Sequence, residues 1–120
     1  KFFVACRIKA CAIHFLRNSS VQFPFIKCMM NSYEPQEDIV QLCASELEIK
    51  NWVEIIQCSW EKQGNELVHQ MALRTKALHA PHGFAPWVTL NGVHVDNIQD
   101  KAETDLVNLI CHNYQGPLPY

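Results

Sequence analysis

No two of the six cysteines in this 120-residue chain stand in C-x-x-C spacing. That absence removes the plain dithiol redox motif. It also weakens a zinc reading, because zinc ligands usually come in close pairs. No apolar run approaches the ~20 residues that a membrane-spanning helix needs. The net charge is only −2, so neither a basic nucleic-acid surface nor a polyanion partner is indicated. Repeats, low-complexity segments and linker-like composition are missing too, which leaves one domain's worth of chain. No motif asks for a cofactor. The chain does not begin with Met, and "KFFVAC" is too short for the apolar core of a signal peptide. A processed product or a fragment is expected.

What is present is an even set of widely spaced cysteines: Cys6, Cys11, Cys28, Cys43, Cys58 and Cys111. In a mainly helical chain that spacing fits structural disulfides and an oxidising compartment. Asn18-Ser19-Ser20 is a glycosylation sequon and points the same way. Together they favour a secretory or endosomal location.

The first two-thirds reads as helices. Arg7 to Arg17 carries Ile8, Cys11, Ala12, Phe15 and Leu16 at helical spacing. Pro24 is expected to interrupt, and Glu34-Pro35 to form a loop with Pro35 near a helix start. Further stripes are Ile39, Leu42, Cys43, Leu47; then Trp52, Ile55, Ile56, Trp60; then Leu67, Val68, Met71, Leu78, with a break or kink at Gly64. Core packing is the plain reading of all of them. In an antiparallel helix hairpin Cys43 and Cys58 fall at similar heights, so they could pair. Cys28 and Cys43 straddle the Pro35 loop in a similar way, and the connectivity stays open. Cys111 needs a distant partner or none, and buried free thiols are the alternative for any of the six.

The last third changes character. In "PHGFAPWVTLNG" (Pro81 to Gly92) a proline and a tryptophan lead into a β-prone run that ends in Asn-Gly. Asn91-Gly92 between two such runs predicts a two-residue type I′ hairpin, since both central residues need φ > 0. Asp96 or Asn97 then caps one last helix, with Ala102, Leu106, Leu109, Ile110 and Tyr114 on a single face and Gly116-Pro117 as its stop. A proline-led strand, a hairpin, a second strand and a terminal helix is how a thioredoxin-like fold ends. The expected fold class is therefore α/β, a partial thioredoxin-like fold, mostly helical. Its expected parts are an atypical segment 1–6, a helical insertion 7–80 and a C-terminal β-β-α unit 81–120.

"RTKAL" (Arg74 to Leu78), "PHGFAPWVTLNG" and "LICHNYQG" (Leu109 to Gly116) stand in one register with the cysteines at 11, 28, 43, 58 and 111. In that register the chain resembles the gamma-interferon-inducible lysosomal thiol reductase family over about residues 7 to 116. The resemblance implies a soluble, glycosylated protein of lysosomes or the secretory route. It implies disulfide reduction in protein or peptide substrates at acidic pH. Carried over, Pro86 is the cis-proline and Ala85 the residue before it, whose backbone pairs with substrate. Asn18 is the candidate glycan site. Cys11, Cys28, Cys43, Cys58 and Cys111 are the disulfide candidates.

The sequence departs from the family in one place that matters. The family places a strand and a helix opening with C-x-x-C upstream, and neither is here. The first cysteine of that motif attacks as thiolate and the second resolves the mixed disulfide. Cys6 falls where the family usually has asparagine, so the first six residues read as foreign, with the look of translated intron. Without those elements the hairpin would be marginal in water and would leave an open edge. A partly molten chain is expected. Of the six histidines, each able to report acidic pH, His79 and His82 stand closest to the Pro86 loop and are candidates to touch substrate or a thiolate; solvated loop histidines are the plainer reading. A zinc site from His79, His82 and a cysteine has little support in the spacing. Two other classes compete. One is a short product that binds extended peptides without chemistry. The other is a secreted helical protein stapled by disulfides, with its cysteines paired mainly within residues 1 to 60 and a trans Pro86.

Overall fold

The structure is a computed structural model that describes residues 2–32, 37–78 and 81–118. Glu34-Pro35 and His79 lie outside the described residues. Seven helices and one hairpin turn make up the described chain. It divides into two units, Lys1–Leu73 and Arg74–Tyr120.

The first unit is a ring of helices. α1 (Phe2–Leu16) packs on α2 (Ser19–Met30), α2 on α3 (Glu37–Glu46), α3 on α4 (Trp52–Trp60), and α4 back on α1. Ile8, Cys11 and Ala12 from α1 meet Phe25 and Met29 from α2, Val40 and Cys43 from α3 and Ile55 from α4, all with essentially no exposure. Each such large side chain contributes roughly 1.5–3 kcal/mol when fully buried. The stripe predicted on α1 is the buried one. That on α3 is rotated: Val40, Cys43 and Ala44 face the core, while Leu42 is 58% exposed. Trp60, expected in the core stripe of α4, lies at the surface instead. Its indole N–H donates to Glu37 Oε1 at 2.6 Å, and the Arg7 guanidinium lies 5.8 Å from its ring centroid. The amphipathic ring bridges three helices from outside the core.

Pro24 does not interrupt. α2 runs through it, from Asn18, whose Oδ1 accepts the Ser20 N–H at 2.9 Å as an N-cap, to Met30. Proline removes one helical N–H. The carbonyl left without its bond belongs to exposed Ser20 and can take water instead, while Phe25 and Met29 bury the opposite face.

α3 ends in a Schellman arrangement, with Ile49 N–H on Ala44 C=O (2.8 Å), Glu48 N–H on Ser45 C=O (3.3 Å) and Glu48 at φ 55°. Buried Ile49 supplies the apolar contact of that motif. The break expected at Gly64 falls at Glu61 instead. Gly64 sits in the first turn of α5 (Lys62–Lys76), so close to α4 that a Cβ would come within 2.5 Å of the Cys58 carbonyl oxygen.

The second unit opens with the end of α5. Asn91 and Gly92 have φ of 50° and 80°, and Leu90 and Val93 exchange backbone hydrogen bonds of 2.8 and 3.0 Å. This is the predicted I′ turn. The strands on either side do not develop; Leu90–Val93 is the one bridge among the described residues. The described residues are thus mostly helical, as expected, and the α/β character does not show among them. The physical reason is that a lone hairpin has no third strand to pair with.

The expected terminal helix is two, α6 (Asp96–Thr104) and α7 (Leu106–Asn113), broken at Asp105 (φ −152°, ψ 60°). Asp105 accepts from the Asn108 side chain at 2.6 Å, and Thr104 Oγ1 donates to Asp100 C=O at 2.6 Å. Such local bonds compete with helix continuation. α6 follows Val95 rather than an Asp96 or Asn97 cap, and the chain leaves α7 at Tyr114. Gly116 is therefore not a C′ glycine; it packs against the Tyr114 ring. Only Leu109 of the predicted face is buried, and Leu106, Ile110 and Tyr114 are half exposed.

Candidate functional site

Ala85 and Pro86 lie exposed in the segment between α5 and the hairpin, and the peptide bond joining them is cis. Among the described residues the backbone of Ala85 makes no hydrogen bond. His82 is exposed in the same loop and, among the described residues, has no polar partner.

The loop is held from the hairpin and from α6. Trp87 stacks on His94 at 3.5 Å between centroids and 14° between planes. Phe84 meets the Trp87 ring edge-on at 5.0 Å and is itself 53% exposed. His94 Nδ1 lies 2.8 Å from the Val88 carbonyl oxygen. A carbonyl only accepts, so Nδ1 carries the proton there. The Trp87 indole N–H is buried without a partner.

Gln99, 5% exposed, makes the closest polar link. Its Nε2 donates to the Pro86 carbonyl at 2.8 Å, its Oε1 accepts the Val88 N–H at 2.9 Å, and Nε2 also donates to the Glu103 carboxylate. Sequence reasoning missed Gln99, Phe84 and His94. His94 stands in the second β-prone run and Phe84 in the proline-led motif, so both were open to view. Gln99 leaves a faint signal, a polar residue one turn before Ala102 on the inner side of a helix.

The cysteines settle differently from the helix-hairpin pairing. Cys11 bonds to Cys58 and Cys28 to Cys43, both within the first unit. The Cys43–Cys58 alternative is not formed, because Cys58 faces α1 and Cys43 faces α2. Cys111, a disulfide candidate from sequence, is a free, exposed thiol on α7; four of the five cysteines of the first unit pair with one another. Cys6 is also free. Asn18 is exposed, so its sequon is reachable. Among the described residues no group of three or more metal-ligating side chains comes together, and no helix is long and apolar enough to cross a membrane. A cleft of about 260 Å³, lined by Lys101, Asp105, Asn108, Leu109, His112 and Asn113, includes none of the candidate site residues Ala85, Pro86 and His82.

Comparison with known proteins gives the family. The profile of the family described as "Gamma interferon inducible lysosomal thiol reductase" matches residues 5–47. A goldfish (Carassius auratus) gamma-interferon-inducible lysosomal thiol reductase is 47% identical over 68 residues, covering 57% of this chain and 27% of its own. GILT-like protein 1 of Drosophila melanogaster is 30% identical over 94% of this chain and 50% of its own. The mouse (Mus musculus) gamma-interferon-inducible lysosomal thiol reductase is 30% identical over 91% of this chain and 42% of its own. The chain thus spans half or less of the length of these relatives. No solved structure matches it. By these matches, the chain belongs to the gamma interferon inducible lysosomal thiol reductase family.

Proposed function

We propose that this chain supplies the substrate-facing part of a lysosomal or secreted thiol reductase that reduces disulfides in protein and peptide substrates at acidic pH, on a thioredoxin-like frame. The observation that carries this is family membership, with the match to the mouse protein named a thiol reductase running through 91% of this chain. The geometry adds support. Ala85 offers an unpaired, exposed backbone beside Pro86, which suits pairing with an extended substrate segment. Two disulfides and an exposed sequon at Asn18 suit an oxidising route.

The chemistry in this proposal is dithiol exchange. A thiolate attacks one sulfur of the substrate disulfide, and the other substrate sulfur leaves as a thiol. A second thiolate then attacks the mixed disulfide, releases the reduced substrate and leaves the enzyme pair oxidised. That needs a C-x-x-C, and this sequence has none. Cys11, Cys28, Cys43 and Cys58 are already paired. This chain by itself is therefore proposed to be inactive as a reductase. Its possession of the loop without the dithiol also favours a second reading, peptide binding without chemistry.

One experiment separates them. The message encoding "CRIKAC" is sequenced to its 5′ end, its full product expressed, and dithiothreitol-driven reduction of denatured immunoglobulin measured at acidic and neutral pH. An in-frame C-x-x-C with faster turnover in acid supports the reductase. A message without that motif, whose product binds reduced, alkylated insulin B chain, supports the second reading. A full product with the motif and no turnover sinks the reductase proposal.

A further inference from the structure

Two peptide groups flank Trp87, the Pro86 carbonyl and the Val88 N–H. In a parallel sheet one residue of the neighbouring strand would satisfy such a pair, donating to the carbonyl of residue i and accepting from the N–H of residue i+2. No strand does so here. The primary amide of Gln99 makes both bonds, at 2.8 and 2.9 Å, from α6. The Glu103 carboxylate, one turn further along α6, accepts from the same nitrogen. That contact orients the amide: turned over, it would set its oxygen against the Pro86 carbonyl and the Glu103 carboxylate together. Gln99 is 5% exposed, so water does not readily replace these bonds.

We propose that Gln99 is the positioning residue of the substrate-facing loop: its amide stands in for a neighbouring strand and fixes the backbone from Pro86 to Val88, so that Ala85 presents its open peptide edge to an extended, disulfide-bearing substrate segment. This deepens the function proposed above and rests on Ala85 being substrate-facing. Gln99 touches no substrate; it acts through the loop.

The test uses the full chain, uniformly ¹⁵N-labelled, with reduced and alkylated insulin B chain as the extended peptide probe. Two readouts are followed: hydrogen exchange at the Val88 amide, and peptide-induced shifts at Phe84, Ala85 and Trp87. Gln99→Leu keeps an apolar stem and removes both bonds. It is expected to speed Val88 exchange and weaken peptide binding, each by about tenfold. Core amides of the first unit, such as that of Ile55, stay unchanged.

Gln99→Glu is the second variant. As a carboxylate it cannot donate to the Pro86 carbonyl, and repulsion from that carbonyl and from Glu103 turns it away from the Val88 N–H as well. Protonated, it can donate to the Pro86 carbonyl and accept from the Val88 N–H as the amide does, with no second proton for Glu103. It is expected to resemble Gln99→Leu at neutral pH and the wild type in acid. The wild type is measured at both pH values, so that titration of Glu103 and of His94 on the hairpin is carried in the reference. Unchanged Val88 exchange in both variants at neutral pH overturns the clamp. Faster exchange with peptide binding intact overturns its positioning role. A wild-type chain whose loop amides do not respond to the peptide sinks the substrate-facing loop itself, and the positioning role with it, whatever the variants show. Should Gln99→Leu fail to fold, the acid rescue of Gln99→Glu decides alone.

Discussion

Glu48 holds a backbone conformation (φ 55°) that costs most side-chain-bearing residues about 1–2 kcal/mol. It does so because the α3 terminus needs a left-handed residue at C′, so that Ile49 can reach the core. The side chain is exposed. Glu48→Gly is expected to stabilise the chain by about 0.5–1 kcal/mol, the relief being partly offset by the freer unfolded chain. A higher urea midpoint at unchanged slope would show it; a lower one would mean that the glutamate does something the backbone does not reveal. Asn18 caps α2 and is also the candidate glycan site. Asn18→Gln is expected to remove the glycan, seen as loss of the mass shift on deglycosylation of protein made in a secretory host. It should also remove the α2 cap at about 1 kcal/mol. Thr at position 18 would lose the glycan and keep most of the cap.

Between elements, the α4–α5 joint and the two disulfides decide most. Gly64 lets α5 start against the Cys58 carbonyl, where a Cβ would collide with backbone rather than with a movable side chain. Gly64→Ala is expected to lower stability by about 1–3 kcal/mol despite its better helix propensity. A thermal melt that instead rises with the alanine would show that the joint opens easily. The disulfides differ in access. Cys11 and Cys58 are 0% and 2% exposed, whereas Cys28 is only partly buried. Thiol–disulfide exchange needs a path for the attacking thiolate. Graded dithiothreitol followed by alkylation and peptide mapping should therefore label Cys28 and Cys43 before Cys11 and Cys58. The first pair spans 15 residues and the second 47, which corresponds to chain-entropy terms of roughly 3 and 4 kcal/mol. The late reduction is thus the more damaging one.

For the whole molecule, burial is uneven. In the first unit four helices share one closed apolar core. In the second, Gln99 and Leu109 are the buried residues among those described, and Val107 and Leu118 are 71% and 86% exposed. Local stability follows buried apolar area. In urea, the near-ultraviolet signal from Trp87 is expected to fade before protection is lost at Ile8, Cys11 and Ile55. One coincident transition at all of these probes would refute that ordering. A chain of this kind should also be prone to aggregation once reduced, because exposed apolar residues in the second unit gain the first unit's unfolded core as company.

Much was legible in the sequence where short-range physics decides. Asn91-Gly92 specifies its turn because only certain residues accept φ > 0 in succession. The α1 stripe specifies its buried face through helical spacing. The family register named the Ala85–Pro86 loop, and even cysteine count with wide spacing announced disulfides. Other features needed the folded chain. Periodicity cannot choose between Leu42 and Val40 when both flank Cys43; the neighbours α2 and α4 choose. Proline rules predict a break at Pro24, yet burial of Phe25 and Met29 carries the helix through. The pairing of Cys11 with Cys58 follows from α1 packing on α4, far apart in sequence. Gln99 became part of the site because α6 lies against a loop whose peptide groups lack a strand. Each of those outcomes depends on which surfaces meet, and contact between distant segments leaves no local mark in the chain.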